Sequence, residues 1–510
     1  MRSRPTLACG LSLAAWLGPS VARAEPRPPA GGIWGFDPAD VIESWAEPTG
    51  QVRVHYSVEG PNSAPLSSND GDMVPDYAQL VATTTADALG LYVDDFGFDA
   101  PTAEADDPDL GGDAAIDVYL VDFGGAADGR YGSDDCAPSN LPCSGFIVLE
   151  NDFSGYGYPS TEVAVRIVAS HELFHAVQAA YVGLPVWISE GTATWATRRY
   201  DSTLPDFVNA CAGYLINPNR TLYEPPLGPV PSFAYGSALW WDFVDQRLDE
   251  GFFIDLFVAL ADSDDAPEQV MATVLEDSGD PLLDAWPVFS RFNLAIGPRS
   301  GVATSHEYAA QLPGIDAIVE GPVIDRSLRL FPLSTEYWRI DHEGGPLVFG
   351  ADEALDHAVF SLHPVADFAA DGVVGDAIDE WEASEAGHHT VGPGDLPEGG
   401  YWIVVSRPVV ADSSTRARVC VGPLEHVEAC EIDPIPEEPE ADSGSGDGPA
   451  DDTTTTGDSD EATTGSTSSA GMDDEGGSGC ACRTSPSDGG PEPWPVASLL
   501  SLLVLRRRVR

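Results

Sequence analysis

Residues 168–181, VASHELFHAVQAAY, set two histidines and a glutamate inside an apolar run. Positions 171 and 175 are four apart, so on an α-helix they stack on one face, where two imidazoles can reach a single ion. Glu172 is rotated about 100° from His171, which leaves its carboxylate beside such a site instead of inside it. This is the H-E-x-x-H arrangement, in which two neutral imidazoles hold Zn²⁺ and the glutamate serves as base toward water. Val163, Ala164, Ile167, Val168, Phe174 and Val177 make the helix strongly apolar, and Gly183 with Pro185 ends it. The competing reading, a bundle helix whose histidines are satisfied internally, must explain two histidines on one face with an acid beside them.

A catalytic zinc needs a third protein ligand and an open fourth position. The metzincin pattern asks for Gly and His three and six residues beyond the second histidine, where this chain has Gln178 and Tyr181, so that class is excluded. Downstream, VWISEGTATWA at 186–196 reads as a new helix with Ser189 as its N-cap and Glu190 in its first turn. Turning back after YVGLP, that helix sets Glu190 against the histidine face.

HELFH followed by WISEGTATW resembles the gluzincin metallopeptidases, in which the third ligand is a glutamate on the next helix followed by small residues. It is most similar to a group of secreted bacterial metalloproteases that share HExxHAxQ, a tryptophan before the glutamate, EGTATW, an upstream PDY and a downstream YG. Here these are residues 171–178, Trp187, residues 190–195, residues 75–77, and Tyr235 with Gly236, so the likeness covers about residues 51–296. The resemblance implies zinc ligands His171, His175 and Glu190, with Glu172 as general base. The spacing from His175 to Glu190 is shorter than in thermolysin-like enzymes, so no detail of their cleft carries over. By the same pattern Tyr235, at the start of a helix in FAYGSALWW, is the candidate oxyanion donor, with packing as the alternative role and His306 in SHEY as second choice. Thr194, one turn beyond Glu190, is a candidate support behind the ligand.

Around this centre the pattern is α+β. QVRVHYSVEG, AAIDVYLVDFGG and GFIVLENDFSG read as strands, with a helical pattern over 77–96. After the histidine helix the period turns helical over 235–248, 252–261, 267–275 and 282–296, the last with Pro287 inside. From about residue 328, EYWRID, PLVFG, HAVFSLHP and GYWIVVSRPVV read as the short strands of a β-sandwich of about 100 residues. A zincin-like metallopeptidase domain at 25–320 and an accessory β-sandwich at 321–430 follow as expectations, the first implied by the resemblance.

Both ends read as export machinery. Residues 1–24, with arginines at 2 and 4, an apolar run and Ala-Arg-Ala, have the form of a secretory signal peptide. Residues 431–479 are acidic, Ser/Thr/Gly-rich and without a basic residue, the composition of a disordered linker. Residues 480–510 carry Cys480 and Cys482, a short apolar stretch and an arginine cluster, an order that resembles myxobacterial C-terminal sorting tails. The apolar stretch is too short for a stable transmembrane helix of about 20 residues. The resemblance implies transient membrane contact, processing near the cysteines and a cell-surface location.

All 24 basic residues are arginine and the net charge is −59, which makes nucleic acid an improbable partner. Cys136 with Cys143 and Cys420 with Cys430 read as short-loop disulfides, and Cys211 as a buried free thiol. NDGDMVPD offers Asn69, Asp70, Asp72 and Asp76 as an acidic turn, with a Ca²⁺ site as the alternative reading. The expectation is a secreted zinc-dependent endopeptidase acting on protein or peptide, as a monomer. The alternatives are a catalytically silent surface-binding protein with a structural metal, or a zinc hydrolase of other substrates.

Overall fold

The computed structural model describes residues 27–433 except positions 33, 70, 104–110, 112, 135–141, 224–230, 302–304, 366–373 and 412. The segments read as a signal peptide and a sorting tail, Cys136, Asp70 and the part of the expected linker beyond residue 433 lie outside the described residues. Alternating apolar residues build β1 (Val41–Ala46), β2 (Val52–Glu59), β3 (Ile116–Val121), β4 (Gly129–Ser133) and β5 (Gly145–Glu150). Their order in one sheet is β1-β2-β3-β5-β4. The three central strands are parallel, and β1 and β4 run antiparallel at the edges. Val54, Val118, Leu120, Ile147 and Leu149 face the helices, while Tyr119, Val121, Phe146 and Val148 face the N-terminal segment. Arg27 closes that second face: its buried guanidinium reaches Asp134 at 3.0 and 2.8 Å and Asp117 at 2.7 Å. A guanidinium taken out of water requires such paired acceptors.

The helices α1 (Asp76–Leu89) and α2 (Thr161–Gln178) pack on the sheet, α1 continuing into a wider turn at Gly90–Asp95. Ser160 starts α2 from an extended backbone, its hydroxyl accepting the Val163 N–H at 3.2 Å. There follow α3 (Val186–Tyr200), α4 (Asp206–Leu215), α5 (Pro231–Gly236), α6 (Ala238–Leu248), α7 (Gly251–Asp262), α8 (Pro267–Asp277) and α9 (Leu282–Leu294). Two local expectations are corrected. Ser189 is not the N-cap of α3: Pro185 is, because its carbonyl accepts from Ile188 and Ser189. The helix expected over 235–248 is two helices. Gly236 lies so close to α4 that a Cβ there would stand 2.5 Å from the Tyr214 nitrogen, and the Ser237 hydroxyl sits between the Ala234 carbonyl at 2.6 Å and the Trp187 carbonyl at 2.7 Å.

The remaining strands are β6 (Val319–Gly321), β7 (Ile324–Leu330), β8 (Ser334–His342), β9 (Gly345–Ala351), β10 (Val359–Pro364), β11 (Asp379–Glu382), β12 (Gly387–Leu396), β13 (Gly399–Arg407) and β14 (Thr415–Gly422), closed by α10 (Leu424–Ala429). They form two sheets, β11-β10-β13-β8-β6 and β12-β9-β14-β7. Trp338, Phe360 and Ile403 of one sheet meet Leu328, Phe349 and Val419 of the other in a single core. Cys420 and Cys430 form a disulfide beside Val427 and Ile432. Cys143 is also disulfide-bonded. The two-sheet unit docks on α9, where the Tyr337 hydroxyl donates to the Ser290 carbonyl at 2.9 Å and Trp286 donates to the Ser334 carbonyl at 3.3 Å. The whole is a mixed α+β molecule.

Candidate metal centre

Seven residues separate the end of α2 from the start of α3, enough for the chain to reverse and lay α3 back against α2. That reversal brings the second helix's acid to the first helix's imidazoles. His171 Nε2 lies 3.2 Å from Glu190 Oε2, and His175 Nε2 lies 3.7 Å from the same oxygen. One ligand atom from each of the three residues falls within 4.8 Å of the others, and all three side chains are buried. Gly191 makes the approach possible: a Cβ there would meet the Ser237 hydroxyl at 2.1 Å and the Trp241 indole nitrogen at 2.6 Å. The glycine after Glu190 thus lets α3 settle against α6 with the carboxylate turned toward α2.

The electrostatics of this corner suit a cation. Burial pulls the His175 pKa down, but Glu190 and Glu172 beside it hold it up at about 9. Glu190 is pushed well below the usual carboxylate range despite its burial, because both imidazoles face it. His175 Nδ1 is engaged by Gln178 Oε1 at 2.8 Å, while its Nε2 is buried with no hydrogen-bond partner. An orphaned imidazole nitrogen aimed at a carboxylate is the donor set of a divalent ion that prefers N and O ligands, so the residues fit zinc.

Glu172 is fully buried one residue beyond the first histidine, under strand β4. A Cβ on Gly129 would come within 3.1 Å of Glu172 Cγ and 2.3 Å of Val168 Cγ1, so β4 passes directly over the acid. Asp128, just before that strand, is buried; burial raises its pKa to about 7 against the pull of the Tyr158 hydroxyl, with Glu172 and Asp206 adding repulsion. Asp206, at the start of α4, is raised by burial and partly offset by His171. Two carboxyl groups that the sequence did not single out are therefore coupled electrostatically to Glu172 and His171. Their signal is absent from any local motif, because they arrive from β4 and α4.

Tyr235 stands at the end of α5, not at the start of a helix, and its ring lies 5.6 Å from that of His171. The second choice, His306, does not join the site. It is buried against Phe289, Phe292 and Tyr308, with Nε2 2.8 Å from Asn293 Oδ1 and its pKa driven by burial to about 3. Thr194 is buried in α3 with its hydroxyl lacking any hydrogen-bond partner, so it supports no ligand through a hydrogen bond. In the acidic turn, Asp76 accepts from the backbone and side chain of Asn69 at 3.1 and 2.5 Å, and Asp72 accepts from Val74 at 2.9 Å. Those carboxylates accept hydrogen bonds from within the turn itself. No family model matches the chain, and no curated protein does either.

Proposed function

We propose that the chain is a secreted zinc-dependent metalloendopeptidase of the gluzincin type, with a zincin-like domain followed by an accessory β-sandwich. The observation that carries the reading is the convergence of His171, His175 and Glu190 on one point with Glu172 alongside. A divalent ion held by these three supplies Lewis-acid polarisation of the scissile carbonyl and of the attacking water. Glu172 takes the proton from that water and passes it to the leaving amine nitrogen. Its burial under β4 keeps bulk water from competing for the proton. Strand β4 is an edge strand, so an extended peptide laid along it pairs by backbone hydrogen bonds and runs past Glu172. The Tyr235 hydroxyl, carried beside His171, is the side-chain donor for the oxyanion. The export signals and the tail read from the sequence extend the proposal to a cell-surface location.

Metal analysis of the purified protein, with casein digestion in the presence and absence of a chelator, tests it. One zinc per chain and chelator-sensitive cleavage are expected, and Glu172→Gln is expected to keep the zinc while losing at least about a hundredfold in cleavage rate. Zinc with no cleavage by wild type would leave the silent surface-binding reading and the zinc hydrolase of other substrates standing. No zinc at all would remove all three.

A further inference from the structure

We propose that Thr192 and Gln178 are positioning residues that dictate which ring nitrogen of His175 presents its lone pair to the metal position, an inference that rests on the metal-site reading above. The Thr192 hydroxyl has one hydrogen, and it goes to the Ile188 carbonyl at 2.7 Å within α3. Toward Gln178 Nε2, 2.8 Å away, that oxygen can therefore only accept. The same amide nitrogen gives its other hydrogen to the Ser189 carbonyl at 2.9 Å. With both hydrogens committed, Gln178 must turn Oε1 toward His175 Nδ1, 2.8 Å away. An amide oxygen accepts and cannot donate, so Nδ1 keeps its proton and Nε2 is the nitrogen that presents a lone pair when the ring is neutral. The Ser189 hydroxyl donates to the same Oε1 at 3.0 Å, so toward His175 Nδ1, 3.2 Å away, its oxygen can only accept, which again leaves the proton on Nδ1.

Each bond in this sequence has only one permitted direction, beginning at a backbone carbonyl that cannot be protonated. Reversing any member would leave a buried donor facing a donor or an acceptor facing an acceptor, since Gln178 and Thr192 are both buried. The relay also crosses between helices: His175 and Gln178 belong to α2, Ser189 and Thr192 to α3. The network that orients one ligand thus also fixes the register of the helix that delivers Glu190.

Zinc affinity of the full chain, measured by chelator competition, and hydrogen-exchange protection of the His175 Nδ1–H, measured by imidazole NMR, provide the test. Gln178→Leu and the isosteric Thr192→Val are expected to weaken zinc binding about 10–100-fold and to lose the protected proton, whereas Thr192→Ser restores both. Thr192→Val carries the test should Gln178→Leu fail to fold. Wild-type affinity in folded Thr192→Val or Gln178→Leu would overturn the relay while leaving the metal site intact. A wild type that binds no zinc would overturn the metal-site reading, and the Nδ1–H protection would still report on the relay.

Discussion

His171, His175 and Glu190 between α2 and α3, and Cys420, His426 and Cys430 at the end of the two-sheet unit, are both sets of three ligating side chains whose donor atoms lie within 4.8 Å of one another. They differ in where the lone pairs have gone. The two cysteine sulfurs are bonded to each other, and His426 Nε2 faces the Ile324 carbonyl at 3.2 Å, to which it can only donate. Between the helices, His175 Nε2 has no hydrogen-bond partner and Nδ1 is already committed elsewhere. Proximity alone therefore does not make a site. Uncommitted lone pairs aimed at a common point do.

The largest effect that follows is on metal binding. His175→Ala and Glu190→Ala are expected to abolish zinc uptake, while the double substitution Cys420→Ser, Cys430→Ser keeps one zinc per chain by elemental analysis. If the proposed ion binds only the folded chain, zinc at a thousandfold excess over its Kd would add about 4 kcal/mol of stability, visible as a fall in Tm on adding a chelator. That fall should be absent from the two ligand variants and present in the cysteine variant. A cysteine variant that loses its zinc would break the comparison outright.

The second effect belongs to the cysteine set, whose role is to close a loop. A crosslink between residues ten apart removes unfolded-state freedom equivalent to about 2.7 kcal/mol. Urea unfolding of the Cys420→Ser, Cys430→Ser protein should show a loss of that size in unfolding free energy. No loss would mean that the packing of Val427 and Ile432 around the sulfurs holds the segment by itself.

His306 sharpens the contrast from a third position. It too has a buried nitrogen without a partner, Nδ1, but aromatic rings surround it and no acid faces it, so burial holds its pKa at about 3. The folded pKa lies below the ordinary value of about 6.5, so on acidification the unfolded chain takes up this proton first. Its contribution to stability is complete above pH 6.5 and is lost progressively as the pH falls toward 3. Between pH 6.5 and 5 this amounts to roughly 1–2 kcal/mol. His306→Gln should flatten the dependence of the unfolding free energy on pH by that amount relative to wild type, measured by urea unfolding at each pH. An unchanged slope would show that the imidazole already gains a proton in the folded state.

What the sequence disclosed and what it hid divide along the same physical line. The apolar run with histidines four apart announced α2, and YVGLP announced the reversal, since both signals lie within one helix or one turn. Gln178 and Thr192 stand inside the quoted motifs, but what they do could not be read there, because it is a set of hydrogen bonds between two helices. Strand β4, GRYGS, has almost no apolar alternation: Gly129 is small because Val168 and Glu172 lie against it. Strand β12 was likewise missed, its glycines and the register shift between Val391 and Asp395 erasing the period of two. The α3 start was displaced because Ser189 looks like a cap, while its hydroxyl serves Gln178. Asp128 and Asp206 carry no local pattern at all and become neighbours of the site only through the fold.

The smallest expected effect separates two threonines of α3. Thr192 and Thr194 are both buried and both lie within one turn of Glu190, yet one hydroxyl accepts from Gln178 and donates to Ile188, while the other has no hydrogen-bond partner. Replacing a hydroxyl that makes no hydrogen bond with an isosteric methyl removes a desolvation cost and creates no cavity, so Thr194→Val should leave stability unchanged or raise it by up to about 1 kcal/mol. Zinc affinity should stay at the wild-type value, in contrast to the loss expected for Thr192→Val. Thermal melts and chelator competition on the two single variants and their double variant measure the difference directly. Additive behaviour is expected, since no hydrogen bond joins the two hydroxyls. A Thr194→Val protein with weakened zinc binding would mean that the hydroxyl steadies the Glu190 carboxylate in solution, and the rule that committed hydrogen bonds identify the supporting residues would not hold for this helix.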